Sequence, residues 1–121
     1  MQLRMIAGAP ARVVECLQPI TRLDDALDLI GACHEQDAHL LLIDSEILPE
    51  AFFDLRTRLA GELLQKFYNY GLTVAAVFGA DRPYTERFEE FLSEARHGTG
   101  FRIFAKRSDA EAWLLEKGLR A

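Results

Sequence analysis

His39-Leu40-Leu41-Leu42-Ile43-Asp44 is an unbroken apolar run between a polar entry and a polar exit. A strand with one wet face alternates apolar and polar residues. A run without alternation fits a strand buried on both faces, as in parallel sheets covered by helices. Leu72 to Phe78 reads the same way, entered through Gly71 and left through Gly79. Two such strands require the chain to cross back between them, and helices are the usual means.

The segment between them, Phe52 to Tyr70, has that helical spacing. Advancing by about 100° per residue places Phe52, Leu55, Leu59, Leu63, Phe67 and Tyr70 on one stripe, widened by Phe53, Ala60 and Leu64. It reads as one long helix, with Ser45 to Pro49 as the loop leading into it. Further downstream a helix is expected after Asp81, with Pro83 in its first turn and a core face of Tyr84, Phe88, Phe91, Leu92 and Ala95. His97-Gly98-Thr99-Gly100 ends that helix, and Phe101 to Phe104 gives a last strand. Ser108-Asp109-Ala110-Glu111 is a capping box for a final helix that buries Trp113 or Leu114 and stops at Gly118.

Upstream, Leu3 to Ile6 and Arg12 to Leu17 form two short strands joined through Gly8-Ala9-Pro10. Thr21 then caps a helix whose stripe is Leu23, Leu27 and Ile30, extended by Ala26 and Cys33. The resulting order, ββαβαβαβα, predicts an α/β fold: a mixed, mostly parallel sheet with four helices, forming a single domain over residues 1–121.

Composition narrows the function classes. Half of the residues are hydrophobic and the formal net charge is -5. That balance argues against nucleic acid and against anionic membrane surfaces, both of which select clustered Lys and Arg. No apolar run approaches the roughly 20 residues of a spanning helix, and Met1 to Gly8 is too interrupted for a signal peptide. Cys16 and Cys33 lack zinc or redox spacing and are expected as free core thiols. A cytoplasmic location is expected.

On the long helix Asp54, Arg58, Glu62, Gln65 and Asn69 fall opposite the stripe, as an ordinary wet face would. Three features do not fit that description. Arg56 falls inside the apolar arc, where an unpaired charge is costly; it must reach solvent or pair with a carboxylate such as Asp44. Gly61 sits inside the helix at a cost near 1 kcal/mol relative to Ala. With Thr57 and Ala60 it makes a small-residue patch beside Leu64 and Tyr68. Thr57, Ala60, Gly61, Leu64 and Tyr68 are the candidate interface, with a homodimer or a protein partner as the expected occupant.

The same segment carries a resemblance. Phe53-x-Leu55-x-Thr57-x-x-Ala60-Gly61-Glu62-x-x-Gln65-Lys66-Phe67-x-Asn69-Tyr70 resembles the bacterial domain-of-unknown-function family 4180. Asp25-Ala26-Leu27-Asp28-Leu29-Ile30-Gly31 and Phe91-x-x-Glu94 look similar too. Arg58 stands where that family usually has glycine, and Ala95-Arg96 where Ser-Asn is expected. The element order is also similar to STAS domains and anti-sigma-factor antagonists of the SpoIIAA type. That likeness implies a regulatory, non-enzymatic domain with a functional loop between a buried strand and the next helix. The corresponding region runs from Asp44-Ser45 through Thr57 to Gly61, without the Asp-Ser-Ser-Gly-Leu-Gly type of run. Ser45, Arg56 and Thr57 are the candidate ligand or phosphorylation site, with Lys106 near the same cleft.

Enzymatic chemistry has thinner support. Asp24, Asp28 and Glu35 share a helix side, as surface acids commonly do. His34, His39 and His97 show no paired metal spacing, and no metal or other cofactor is expected. Ser45 or Cys33 with a distant His is the only nucleophilic arrangement the residues offer, and Glu94 with His97, one helical turn apart, is a candidate acid–base pair. No Gly-x-Ser-x-Gly, Gly-x-Gly-x-x-Gly or P-loop occurs. Asp44 lies in the wrong βα unit for a phosphoacceptor.

Overall fold

The computed structural model describes residues 2–79 and 82–120. Its five strands lie in the order of the chain. β1 (Leu3–Ala7) pairs antiparallel with β2 (Val13–Cys16), and β3 (Leu40–Asp44), β4 (Thr73–Val77) and β5 (Phe101–Phe104) follow in parallel. Each parallel strand is added on the same side of the one before. Right-handed crossovers then bring all the crossover helices to one face. These are α1 (Leu23–Glu35), α2 (Leu59–Asn69) and α3 (Glu86–Ala95).

The register explains why the central strands read as unbroken apolar runs. Val14, Leu41, Val74 and Phe101 face α1 to α3, whereas Val13, Leu40, Leu42, Ala75 and Val77 face α4 (Arg107–Arg120). α4 follows the last strand rather than crossing between two, and it seals the second face with Ala110, Trp113 and Leu114. The strand and helix order expected from the sequence is the one observed.

The expected long helix is not one helix. Glu50–Phe53 and Leu55–Thr57 are separate 3-10 turns, and α-helix begins only at Leu59. Two local causes interrupt it. The Asp54 carboxylate accepts from the Arg56 backbone N–H at 3.1 Å, the side-chain-to-backbone bond with which Asp competes against helix. Arg58 then adopts a left-handed backbone, φ 66°, at the position where the resembled family carries glycine. Phe52 and Phe53 are both buried, as the tighter turn allows, and pack on Phe78 and Phe88 with ring centroids 5.4–6.1 Å apart. The helical period was real in Leu59, Leu63 and Phe67, but it continued by coincidence through a differently folded segment.

Smaller corrections share one physical origin, competition at element ends. α1 starts at Leu23 with Arg22, not Thr21, at its N-cap, and Asp25 holds its entry. The Asp25 carboxylate accepts from Thr21 N, Thr21 Oγ1 and Arg22 N. The α1 core face is Ala26, Leu29, Ile30 and Cys33; Leu27, expected inside, is 40% exposed. α3 begins after Thr85, whose hydroxyl accepts from Phe88 N, so Pro83 lies ahead of the helix rather than in its first turn. Asp81, expected at that helix's start, lies outside the described residues. α4 starts at Arg107, before the proposed capping box, and runs past Gly118 to Arg120. Gly118 is an approach point instead: a Cβ there would stand 3.2 Å from Ala11 Cβ and 3.4 Å from Leu40 Cδ1.

Candidate functional site

The C-terminal ends of β3, β4 and β5 lie together at one end of the sheet. There β3 ends in Asp44, and the following 3-10 turn, Ser45–Ile47, begins with the Asp44 carboxylate accepting from Glu46 N at 2.9 Å. Arg82 stands between two clefts at this end. One is lined by Asp44, Ser45, Glu46, Val77 and Gly79. The other, about 180 Å³, is lined by Phe78, Tyr84, Glu89, Leu92, Arg96 and Ile103, among others.

Arg82 is held in place. Its Nη2 donates to both Glu50 carboxylate oxygens at 2.7 Å, and its guanidinium carbon lies 3.7 Å from the centroid of the Phe53 ring. Stacking and the ion pair together fix the plane of the guanidinium, so it is preorganised. Sequence reasoning noted Arg96 only as a departure from the family pattern and missed Arg82, an arginine next to a proline after the glycine that ends a buried strand, where a helix start is expected.

The predicted site residues are not gathered in one place. Ser45 lines the cleft with Asp44, whereas Arg56 lines a separate groove with Phe53, Leu55, Thr85 and Arg87. Arg56 is not in an apolar arc: its side chain is 84% exposed and pairs with Asp54 at 3.0 Å, not with Asp44. That hydrogen bond holds the Asp54 carboxyl below the usual carboxylate range. The Thr57 hydroxyl is tied into its own turn, donating toward the Ala51 or Asp54 carbonyl and accepting from Leu59 N. Lys106 immediately precedes α4, its carbonyl accepting from Ala110 N, and lines neither the Ser45 cleft nor the Arg56 groove.

Along α2 the candidate interface divides. Ala60 is 1% exposed and belongs to the core of the single chain. Gly61 is exposed, and a Cβ there would meet nothing within 4 Å, so no close packing within the chain requires it. Tyr68 is 76% exposed, and Leu64 is half-buried between it and the core. The neighbouring Gln65 donates to Asn69 at 2.8 Å.

The other candidate groups have structural surroundings. Glu94 and His97 are exposed at the end of α3, and the bond between them is backbone to backbone. His34 Nε2 donates to the Tyr70 carbonyl at 3.1 Å, tying α1 to the end of α2. Cys16 and Cys33 are free and buried, and burial pushes the Cys33 thiol up to about 12. Among the described residues no group of three or more His, Cys, Asp or Glu could hold a metal ion.

The strongest buried charge is one that sequence reasoning missed. Glu15 on β2 is 5% exposed, and its carboxylate takes Arg107 Nη1 at 2.8 Å, a second Arg107 nitrogen, and Arg4. The Arg107 hydrogen bond is the main cause holding Glu15 below the usual carboxylate range, against the opposing effect of burial. Arg107 also pairs with Glu111 at 2.8 Å, so this cluster fastens the first turn of α4 to the sheet. Glu15 and Arg107 lie 92 residues apart in the chain, and no local pattern joins them.

Among the described residues no helix is long and apolar enough to cross a membrane. No curated protein and no solved structure matches the chain. One family model does, that of the domain of unknown function DUF4180, over residues 10–114. The chain therefore belongs to the DUF4180 family.

Proposed function

We propose that this protein is a non-enzymatic regulatory domain that works through protein interaction, and that it self-associates through the outer flank of α2. One observation carries the reading. Gly61, Leu64, Gln65, Tyr68 and Asn69 form an uncharged surface on a chain whose net charge is -5. A second copy meets no like-charge repulsion there.

The flank is also self-complementary. Gly61 and Tyr68 are two turns apart, roughly 10 Å along the helix axis. In an antiparallel pair related by a two-fold axis, each Tyr68 ring fills the open space over the other Gly61. An exposed aromatic beside a small residue is the composition of an interface centre.

Support for a non-enzymatic role comes from how the perturbed groups are used. Glu15, Asp25 and Asp54 are each held by structural hydrogen bonds. The resemblance of the element order to that of STAS domains fits a regulatory assignment, and two free buried thiols fit the cytoplasm.

The test is the mass in solution of Gly61→Leu and Tyr68→Ala, by light scattering. Both are expected to fall to the single chain while keeping native circular dichroism. Retention of the native protein's oligomeric mass by both variants would contradict the assignment of the interface.

A further inference from the structure

The cleft beside Arg82 has more definition than a surface depression. Its apolar floor is Phe78, Leu92 and Ile103, and its walls carry Arg82, Arg96 and Glu89. At about 180 Å³ it is smaller than the roughly 300 Å³ at which drug-sized pockets begin, so its occupant is a small molecule.

Charge narrows the occupant. Arg82 gives one guanidinium nitrogen to Glu50 and keeps its other N–H donors without a partner among the described residues. Arg96, at the C-terminal end of α3, has no ion pair among the described residues. Two guanidinium groups therefore offer donors for a carboxylate or similar anion. Glu89 in the same wall, with Glu50 on Arg82, brings the four groups to a formal charge of zero. A phosphate dianion would meet the Glu89 carboxylate in the wall, with Glu50 already neutralising part of the charge on Arg82. A zwitterion matches the balance, its acid group on the arginines and its ammonium on Glu89.

We propose that this cleft binds a small apolar α-amino acid. The carboxylate is held by Arg82 and Arg96, the ammonium by Glu89, and the side chain lies on Phe78, Leu92 and Ile103. The site stands apart from the α2 flank, so failure of either proposal leaves the other intact.

Isothermal titration calorimetry on the full chain separates the possible ligands, using L-valine, L-leucine, 4-methylpentanoate, 3-methylbutylamine and inorganic phosphate. Valine or leucine is expected to bind, with the two one-charge analogues at least tenfold weaker and phosphate weaker still. Arg96→Gln, at an exposed position, is expected to weaken amino-acid binding at least tenfold. Glu89→Gln should weaken leucine but leave 4-methylpentanoate unchanged. The proposal is overturned if neither amino acid binds at millimolar concentration. It is equally overturned if phosphate or either analogue binds as tightly as leucine, or if Arg96→Gln has no effect.

Discussion

Arg58 holds a left-handed backbone at φ 66°, where a Cβ crowds the following carbonyl at a cost of about 1–2 kcal/mol. Glycine has no such crowding, although it gives some of the gain back through the unfolded chain. Arg58→Gly is therefore expected to raise the unfolding free energy in urea by about 0.5–1 kcal/mol, and Arg58→Val to lower it. A destabilised glycine variant would contradict the left-handed assignment. Glu15 gives a second residue-scale test, through pH. Its folded pKa is depressed, so its contribution is fully present above the ordinary carboxylate pKa and is lost as pH falls through the folded value. Stability should decline below about pH 5, and Glu15→Gln should show a shallower decline over the same window. Arg107→Met leaves Glu15 with Arg4 alone and is expected to cost about 1–3 kcal/mol near neutral pH.

At the scale of elements, two helical glycines make a controlled pair. Gly61 faces open space in α2, whereas Gly118 of α4 lies against Ala11 and Leu40. Gly61→Ala should stabilise the chain by up to about 1 kcal/mol, measured at concentrations low enough to keep it single. Gly118→Val should cost about 1–3 kcal/mol, because Ala11 Cβ is fixed to the backbone and cannot move aside. Thermal or urea unfolding of both variants checks the contrast, and equal effects would contradict it. The helices also show where local reading stops. Periodicity located α1, α2 and α3, since their core faces are set by residues three and four apart. It could not see Asp54 and Arg58 break the segment between Phe52 and Leu59, because hydrophobic spacing carries no backbone dihedral. The glycine usual in the resembled family at the Arg58 position was the available sign.

For the whole molecule, the unbroken runs at Leu40 to Ile43 and Val74 to Val77 were enough to make the sheet legible, because burial on both faces leaves a direct mark on composition. Long-range side-chain pairing leaves none. The Glu15–Arg107 cluster, the Arg82–Glu50 pair and the separation of Ser45 from Arg56 all depend on how the strands and loops come together in space. Of the candidate interface residues, which share one short stretch of chain, Gly61 and Tyr68 are exposed on α2 and Leu64 is half-buried, whereas Ala60 faces inward. The self-association proposed for the α2 flank is most directly tested by sedimentation equilibrium of the native chain across a range of concentrations. A two-chain species that dissociates on dilution is the predicted result; a single-chain mass at every concentration would contradict it.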